Sequence, residues 1–179
     1  MSENVVVFDL ETQHDFASVG GFQFAEKLGV SVGVAYHVGE RRFRHFEEPQ
    51  MSELVSLLQS ASRVVGFNIR RFDLRVLSAY TDADLFGLPC CDLLEDIERH
   101  LGHRVRLDSL VQQTLGIKKS ADGSTALKWW REGRLDLIRD YCQQDVEMTR
   151  RLWEYGRAHG HVWYWDRARK QRRPTPVRW

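Results

Sequence analysis

The sequence predicts an α/β fold, in which a mixed β-sheet of an antiparallel meander and parallel strands is flanked by helices and followed by a C-terminal β-hairpin. Three observations support this fold class. Residues 5–10 form a nearly continuous apolar run, which is typical of a strand covered on both faces. Residues 28–38 and 41–48 alternate or nearly alternate between apolar and polar side chains, which favours antiparallel strands. Residues 135–159 carry apolar side chains at helical spacing, which predicts a long helix.

The first part of the chain predicts strands and then one helix. Residues 13–21, which follow the first strand, contain glycine and are predicted to form a loop. The two alternating segments that come next are joined through Gly39, as in a meander. Residues 51–61 predict a helix, because their apolar side chains recur at helical spacing. These side chains are Leu54, Val55, Leu57, Leu58 and Ala61.

The middle of the chain predicts a strand followed by a helix. Residues 63–67 form a short apolar run and are predicted to be a strand. A helix is predicted to begin near Asp73. Its apolar side chains include Leu74, Leu77 and Tyr80.

The last part of the chain predicts helices until the hairpin. Ser109 and Gln112 have the spacing of a capping box, which predicts the start of a helix that Gly116 ends. A polar loop is predicted over residues 118–124. It leads to a helix that carries two adjacent tryptophans, Trp129 and Trp130.

Composition favours a soluble globular protein. The chain has 179 residues, of which 42% are hydrophobic and 28% charged, and this length is that of one ordinary domain. We expect a single domain over residues 1–179, with a core at residues 1–155 and an extension at residues 156–179. No apolar run approaches the ~20 residues that cross a bilayer, and no basic segment precedes the first apolar run. We therefore expect no membrane association and a cytoplasmic protein.

The cysteines predict neither disulfides nor a zinc site. Cys90 and Cys91 are adjacent, and Cys142 is far from both. An odd number of cysteines without a C-x-x-C pair fits neither a disulfide framework nor the usual zinc spacing. We expect reduced thiols.

Two acidic residues end the first predicted strand. Residues two apart on a strand share a face, so Asp9 and Glu11 are predicted to project together with Val5 and Val7. Two carboxylates side by side at the end of a buried strand repel each other and lose hydration, unless a cation joins them or one takes up a proton. The strand context therefore makes this D-x-E pair a candidate metal site, although an acidic turn after a strand has the same pattern.

Asp73 is the second acidic feature. It follows the strand at residues 63–67 and lies in the first turn of a predicted helix. The free N–H groups and the dipole of that turn favour an anion. An aspartate at the start of a helix is nevertheless common, so Asp73 indicates a site only in combination with the other acids.

Tyr141 and Asp145 form the third feature. The centre of the buried stripe of the long helix is predicted at Ile138, Cys142, Val146, Thr149 and Trp153. Tyr141 and Asp145 lie one turn apart on the edge of that stripe, beside Leu152. They are therefore predicted to border the core and to face an adjoining cleft. An acid there can hold a metal, and a phenol can hydrogen-bond a bound water.

The three motifs in this order resemble the DnaQ-like exonucleases of the ribonuclease H-like superfamily. The resemblance covers residues 1–155 and is closest in FDLET, GFNIRRFD and YCQQDVEMT. GFNIRRFD is similar to a segment of the proofreading domain of family B DNA polymerases. The whole chain looks most like stand-alone or helicase-associated prokaryotic exonuclease domains. The rival subgroup has histidine five residues before the last aspartate; position 140 is Asp140 and Tyr141 follows it, so the subgroup with four acids and a tyrosine (DEDDy) is implied.

The resemblance implies a ribonuclease H-like fold and 3′–5′ exonuclease activity by a two-metal-ion mechanism. Hard carboxylates suit Mg²⁺ or Mn²⁺. Asp9, Glu11 and Asp145 would hold the ion that activates water. Asp9 and Asp73 would hold the second ion, near the leaving group. Tyr141 would orient the nucleophilic water.

The resemblance also implies contacts to a single-stranded 3′ end, of DNA or RNA. Asn68, from the same motif as Asp73, is expected to contact the terminal nucleotide. Leu10 and Thr12 flank the acids and are expected to contact the last sugar, Leu10 through its backbone. A helicase or polymerase partner is compatible with the resemblance. The sequence does not choose between DNA and RNA or fix the oligomeric state.

The C-terminal extension leaves two alternatives open. From Arg157 to Trp179 there are seven basic residues and one acidic residue, interleaved with aromatic side chains. Such a segment can hold phosphates and stack on bases. Alternatively, it forms a hairpin whose aromatic side chains pack on the core and whose basic side chains face water.

Two other functions compete with the exonuclease. The first is an inactive nucleic-acid-binding or scaffolding module of the same fold, and its signature would be a missing acid. The second is an endonuclease of the ribonuclease H-like superfamily, such as a ribonuclease H or a resolvase. The tyrosine and aspartate one turn apart argue against this second function, and cleavage of a circular substrate would support it.

Overall fold

The computed structural model describes residues 4–118 and 123–179 and contains two sheets and several helices. The strands are β1 (Val5–Thr12), β2 (Val30–His37), β3 (Arg42–Glu47), β4 (Arg63–Gly66), β5 (Cys90–Asp92), β6 (His161–Asp166) and β7 (Gln171–Pro176). The helices are α1 (Phe16–Val19), α2 (Met51–Ser60), α3 (Asp73–Leu77), α4 (Leu93–Leu101), α5 (Leu107–Leu115), α6 (Gly123–Arg131) and α7 (Leu135–His159). Short 3-10 helices occupy Phe22–Lys27, Glu48–Gln50 and Ser78–Tyr80.

The larger sheet has the strand order β3-β2-β1-β4-β5. β1, β2 and β3 pair antiparallel, whereas β4 pairs parallel with β1 and β5 pairs parallel with β4. β6 and β7 pair with each other as a separate antiparallel hairpin. The predicted mixed sheet, its central first strand and the C-terminal hairpin are confirmed.

The alternation of side chains along β1 determines what each face of the sheet contacts. Val6, Phe8 and Leu10 pack in a cluster with residues of α2 and α3. Val5 and Val7 belong to a second cluster, which includes the buried stripe of α7. Since all five side chains are buried, the strand is covered on both faces, as its apolar run predicts. Asp9 and Glu11 continue the row of Val5 and Val7 and therefore lie on the α7 side.

The long helix has the bounds that its hydrophobic pattern predicts. All the residues of the predicted stripe are buried. Gly160 ends α7 in the left-handed conformation, at φ 70°, and its N–H donates to Gly156. Glycine adopts this conformation without the steric cost that a Cβ brings. Among the described residues, no helix has both the length and the hydrophobicity of a membrane span.

Residues 13–21 are not simply a loop, as predicted, because they contain the one-turn helix α1. The carboxylate of Asp15 accepts the backbone N–H of Ser18 at 2.8 Å and caps the helix. Gly20 ends it at φ 94°. A single turn is too short to show helical periodicity, so the local caps alone specify it.

The capping box predicted at Ser109 and Gln112 is wrong. α5 begins at Leu107, so Ser109 lies inside its first turn, and the N-cap residue, Arg106, makes no side-chain capping hydrogen bond. The N–H of Ser109 donates to the carboxylate of Asp108 at 2.7 Å, which replaces the predicted contact. Gly116 ends the helix, as predicted. The predicted loop over residues 118–124 falls largely outside the described residues.

Candidate active site

A cavity of about 330 Å³ lies at the carboxyl end of β1. Every residue that the sequence predicts for the site lines it. These residues are Asp9, Leu10, Glu11, Thr12, Asn68, Asp73, Tyr141 and Asp145. They come from β1, from the segment that leads from β4 into the first residue of α3, and from α7, so three distant parts of the chain meet in one cavity.

Asp9 and Glu11 face α7 from the end of β1. Potential ligand atoms of Asp9, Glu11 and Cys142 all lie within 4.8 Å of one another. The register between β1 and β2 shifts between Glu11 and Thr12, and such irregularities re-aim side chains beside functional sites. The strand therefore presents two carboxyl groups side by side to the helix that carries Asp145.

Cys142 contacts Asp9, whereas the sequence predicts only that Cys142 lies in the core. Its thiol donates to the backbone oxygen of Asp9 at 3.4 Å and to Asp9 Oδ2 at 3.7 Å. Burial, followed by the negative charges of Asp9 and Glu11, raises the pKa of this thiol well above its usual range. Cys142 therefore remains a neutral donor that helps to fix Asp9. In the sequence Cys142 is marked only as part of the apolar stripe of α7, which does not indicate a contact with Asp9.

Asp73 is the most deeply buried carboxyl group of the set, with 2% of its surface exposed. It is the first residue of α3, and its Oδ1 accepts the backbone N–H of Leu10 at 3.0 Å. Burial raises the pKa of Asp73 to about 7, and the nearby charges of Asp92 and Asp145 add to this rise. Backbone hydrogen bonds from Asp73 and Leu10 oppose it. A bound cation would relieve the cost of keeping this group charged.

Tyr141 and Asp145 lie one helical turn apart on α7, and both are buried. The ring of Tyr141 packs edge-on against Trp129 of α6, with 6.1 Å between ring centroids. The preceding residue, Asp140, is exposed and does not line the cavity. Of these two neighbouring residues, Tyr141 therefore lines the cavity and Asp140 does not.

Asn68 adopts a left-handed backbone conformation, at φ 68°. Its N–H donates to Asp92 Oδ1 at 2.8 Å, and its side-chain oxygen accepts from Arg104 Nη2 at 2.7 Å. Because arginine only donates, this contact fixes the orientation of the amide and leaves the Asn68 NH₂ group as the donor for a ligand. The leucine and threonine of the site are also engaged: Leu10 donates its N–H to Asp73, and the Thr12 hydroxyl donates to the oxygen of His14 at 2.9 Å.

Asp92 joins two segments near the site by hydrogen bonds, and the sequence did not predict this role. Its carboxylate accepts four backbone N–H groups at 2.8–3.3 Å and is buried. The donors are Asn68, Arg70, Leu94 and Glu95. Asp92 thus caps α4. It also fixes the segment that carries Asn68 and leads to Asp73. An aspartate before the amphipathic segment at residues 93–101 is an N-cap signal, but its contact to Asn68 is tertiary.

The donor set fits a hard divalent cation. Asp9, Glu11, Asp73 and Asp145 supply carboxylate oxygens, the ligands that Mg²⁺ and Mn²⁺ prefer. Asp73 and Asp145 are buried, and crowding of buried carboxylates without a cation is unfavourable. The protonated thiol of Cys142 does not change this character.

Comparison with known families identifies one relationship. Residues 6–156 match the family model RNase_H_2, of the RNase H superfamily. The match spans the three segments that carry the predicted site residues and ends before the β6–β7 hairpin. No curated protein is significantly similar to the chain.

Proposed function

Because the chain belongs to the RNase H superfamily, we propose that it is a metal-dependent nuclease that removes nucleotides from the 3′ end of a nucleic acid strand. Superfamily membership supports nuclease-type chemistry on a nucleic acid. The observation that carries the more specific proposal is the convergence of four carboxyl groups and Tyr141 around one cavity.

Two divalent ions, Mg²⁺ or Mn²⁺, are proposed as cofactors. Asp9, Glu11 and Asp145 would hold one ion, and Asp9 and Asp73 would hold the other. When bound, such ions neutralise the phosphate, lower the pKa of a bound water and stabilise the leaving 3′ oxygen. The fit of the carboxylate set to hard cations supports this assignment.

The protein itself supplies the ordering of the acids. The S–H group of Cys142 contacts the carboxylate of Asp9, and the N–H of Leu10 contacts that of Asp73. Each of these bonds restricts the orientation of an acid before any ligand arrives, which lowers the entropic cost of assembling the site. Because its pKa is about 7 in the free protein, Asp73 would release a proton when a cation binds near neutral pH.

Tyr141 is proposed to orient the attacking water through its hydroxyl group. Its position on α7, one turn before Asp145, places the phenol and the acid on the same wall of the cavity. Packing against Trp129 restricts the ring. A correctly oriented nucleophile lowers the barrier without a change in binding, so Tyr141 would contribute to the rate of cleavage more than to affinity.

The remaining contacts support recognition of a terminal nucleotide. The NH₂ group of Asn68 would donate to an acceptor on that nucleotide, since Arg104 fixes the orientation of the amide. Thr12 Oγ1, which donates to His14, keeps its lone pairs for a sugar hydroxyl. Phe16, Leu28 and Phe72 form an apolar part of the wall on which a base can pack. Leu10 would contribute its carbonyl oxygen, because its N–H is already bonded to Asp73.

A direct experiment tests the polarity of cleavage and the requirement for an end. A single-stranded oligonucleotide labelled at its 5′ end is incubated with the protein and Mn²⁺ or Mg²⁺, beside a circular single strand of similar composition. We expect a ladder of labelled products that shorten one nucleotide at a time, an intact circle, and no products in the presence of a chelator. Cleavage of the circle would favour an endonuclease, and metal binding without any product would favour an inactive binding module.

A further inference from the structure

A groove separate from the active-site cavity lies beside the C-terminal hairpin and has a volume of about 570 Å³. It runs between the segment that precedes α5, α5 itself and the end of the hairpin. We call it the hairpin groove and define it by His103, Arg104, Arg106, Gln112, Trp165 and Arg167. The family match ends at residue 156, so the hairpin that forms one wall lies outside the matched region.

The hairpin is fixed to α5 rather than loosely attached. The hydroxyl of Thr114 donates to the backbone oxygen of Trp163 and accepts its N–H, both at 3.0 Å. At the end of β6, the carboxylate of Asp166 accepts the N–H groups of Ala168 and Arg169 at 3.0 Å. The groove is therefore bounded by ordered walls, and a ligand would not need to order the hairpin first.

The groove is predominantly basic. Arg104, Arg106 and Arg167 are exposed and line it. The acidic group in its lining, Asp166, already pairs with the guanidinium of Arg169 at 3.1 Å. Arg106 also has an acidic neighbour, Asp108 at 3.4 Å, but 74% of the Arg106 side chain remains exposed, so this pair is weak. The charge of the groove matches a polyanion.

Trp165 adds an aromatic surface to this charge. It is 45% exposed, whereas the adjacent Tyr164 is 8% exposed and packs in the core. Trp163, on the same face of the hairpin as Trp165, is covered by the guanidinium of Arg172 at 4.2 Å from its ring centroid. The hairpin thus divides its aromatic side chains between packing and exposure. An exposed indole among arginines is the pattern with which proteins stack on unpaired bases.

The groove is connected to the candidate active site through one hydrogen bond. Arg104 lines the hairpin groove, and its Nη2 donates to Oδ1 of Asn68, which lines the cavity of the four acids. The two surfaces therefore meet at the Arg104–Asn68 pair. A strand whose last nucleotide lies beside Asn68 can continue along the arginines towards Trp165.

We propose that the hairpin groove binds the single-stranded part of the substrate that precedes its 3′ terminal nucleotide, with Trp165 stacked on a base and Arg104 and Arg167 on phosphates. The direction of the strand rests on the proposed function, since the 3′ end must lie at the four acids. The groove would recognise the charged phosphates and the flat faces of the bases, which single strands of DNA and RNA share. This groove would give the enzyme its affinity for single strands longer than the active-site cavity can hold.

The test measures binding separately from cleavage. Fluorescent oligothymidylate and oligouridylate of about ten nucleotides, and the corresponding trinucleotides, are titrated with the protein in the presence of a chelator. Trp165→Ala is expected to weaken binding of the longer strands by about 5- to 100-fold, with a smaller effect on the trinucleotides. Trp165→Phe is expected to restore most of the affinity, since a phenyl ring also stacks. Arg167→Ala is expected to reduce the slope of log Kd against log salt by about 0.7.

Two control variants match these changes outside the groove. Phe86→Ala removes an aromatic side chain of similar exposure, 49%, and Arg42→Ala removes an exposed arginine of the edge strand β3, which does not line the groove. Both are expected to bind the longer strands as the wild type does. Circular dichroism of each variant verifies the fold. If Trp165→Ala were misfolded, the proposal would be tested by the slope of log Kd against log salt for Arg167→Ala.

The outcomes separate this proposal from the proposed function. If Trp165→Ala binds the longer strands as tightly as the wild type, or if the wild type binds neither oligonucleotide, the groove proposal is wrong, whether or not 3′ ends are trimmed. Equal losses in Phe86→Ala would also overturn it. If binding of the longer strands depends on Trp165 but the wild type trims no 3′ end with either Mg²⁺ or Mn²⁺, the groove proposal stands and the exonuclease proposal fails.

Discussion

The backbone N–H of Leu10 donates a hydrogen bond of 3.0 Å to the carboxylate of Asp73. Leu10 lies between Asp9 and Glu11 on the central strand, and Asp73 is the first residue of α3. This one bond therefore joins two of the segments that carry the acids of the candidate site. It also places a buried carboxyl group where burial and other acids raise its pKa.

The first prediction concerns the stability of the metal-free protein between about pH 4 and pH 7. The pKa of Asp73 is about 7 in the folded protein and 3.8 in its ordinary state. The unfolded chain therefore loses this proton first as the pH rises, and the free energy of unfolding falls until the pH passes the folded pKa. The fall attributable to Asp73 is at most roughly 4 kcal/mol. Urea unfolding in a chelator at a series of pH values measures it.

Asp73→Asn is the matched control, because asparagine keeps an oxygen that can accept the N–H of Leu10. Its free energy of unfolding should fall less over the same pH range, by the amount that Asp73 contributes. Saturating Mn²⁺ should remove most of the difference in the wild type. Identical pH dependence of the wild type and Asp73→Asn would show that Asp73 titrates normally.

The second prediction concerns Tyr141. Tyr141→Phe retains the ring that packs on Trp129 and removes only the hydroxyl. We expect the rate of 3′ trimming to fall on the order of a hundredfold, while calorimetric affinity for Mn²⁺ and thermal stability remain close to those of the wild type. A Tyr141→Phe enzyme with an unchanged single-turnover rate would exclude a role for the hydroxyl in cleavage.

The third prediction concerns Asp92 as a positioning residue. Asp92→Ala leaves four backbone N–H groups without their acceptor, so we expect a loss of about 2–3 kcal/mol in the free energy of unfolding. Asp92→Asn retains one acceptor oxygen and should lose less. The KM for an oligonucleotide should rise in Asp92→Asn, because the segment that carries Asn68 is held less firmly. Stability and KM equal to those of the wild type in both variants would contradict this role.

The fourth prediction concerns the three thiols. Cys142 is fully buried, whereas Cys90 and Cys91 are partly exposed. Burial raises the pKa of Cys91 to about 11 and also raises that of Cys90, so little thiolate is present at neutral pH. A maleimide should label Cys90 and Cys91 slowly and should label Cys142 only after unfolding, as peptide mass spectrometry can determine. Rapid labelling of Cys142 in the folded protein would mean that its contact with Asp9 opens readily.

Features with a strong period were predictable from the sequence. α7 was predicted with its observed bounds, since an apolar stripe runs its whole length and Gly160 ends it. The central strand and the meander followed from their apolar runs and alternation. For the site, the three motifs and the resemblance that they carry sufficed to choose residues that the fold brings to one cavity. Their roles in metal binding and cleavage remain predictions.

Features that depend on contacts between distant segments were not predictable. β5 has only three residues at the edge of the sheet, too few to show a period, and it was not assigned. The Asp92–Asn68 and Arg104–Asn68 contacts join side chains that no local pattern connects. The sequence also left open whether the aromatic side chains of the hairpin pack or face solvent. The structure shows both, with Tyr164 buried and Trp165 exposed.

Trimming of a 5′-labelled single strand by the wild type, Asp9→Ala and Asp140→Ala, purified in parallel and assayed with Mn²⁺, tests the central claim most directly. Asp9 is one of the four acids around the cavity, whereas Asp140 is an exposed acid of α7 that does not line it. The account predicts a ladder of shortened products from the wild type and Asp140→Ala, and none from a folded Asp9→Ala. Trimming by Asp9→Ala at the wild-type rate would contradict it.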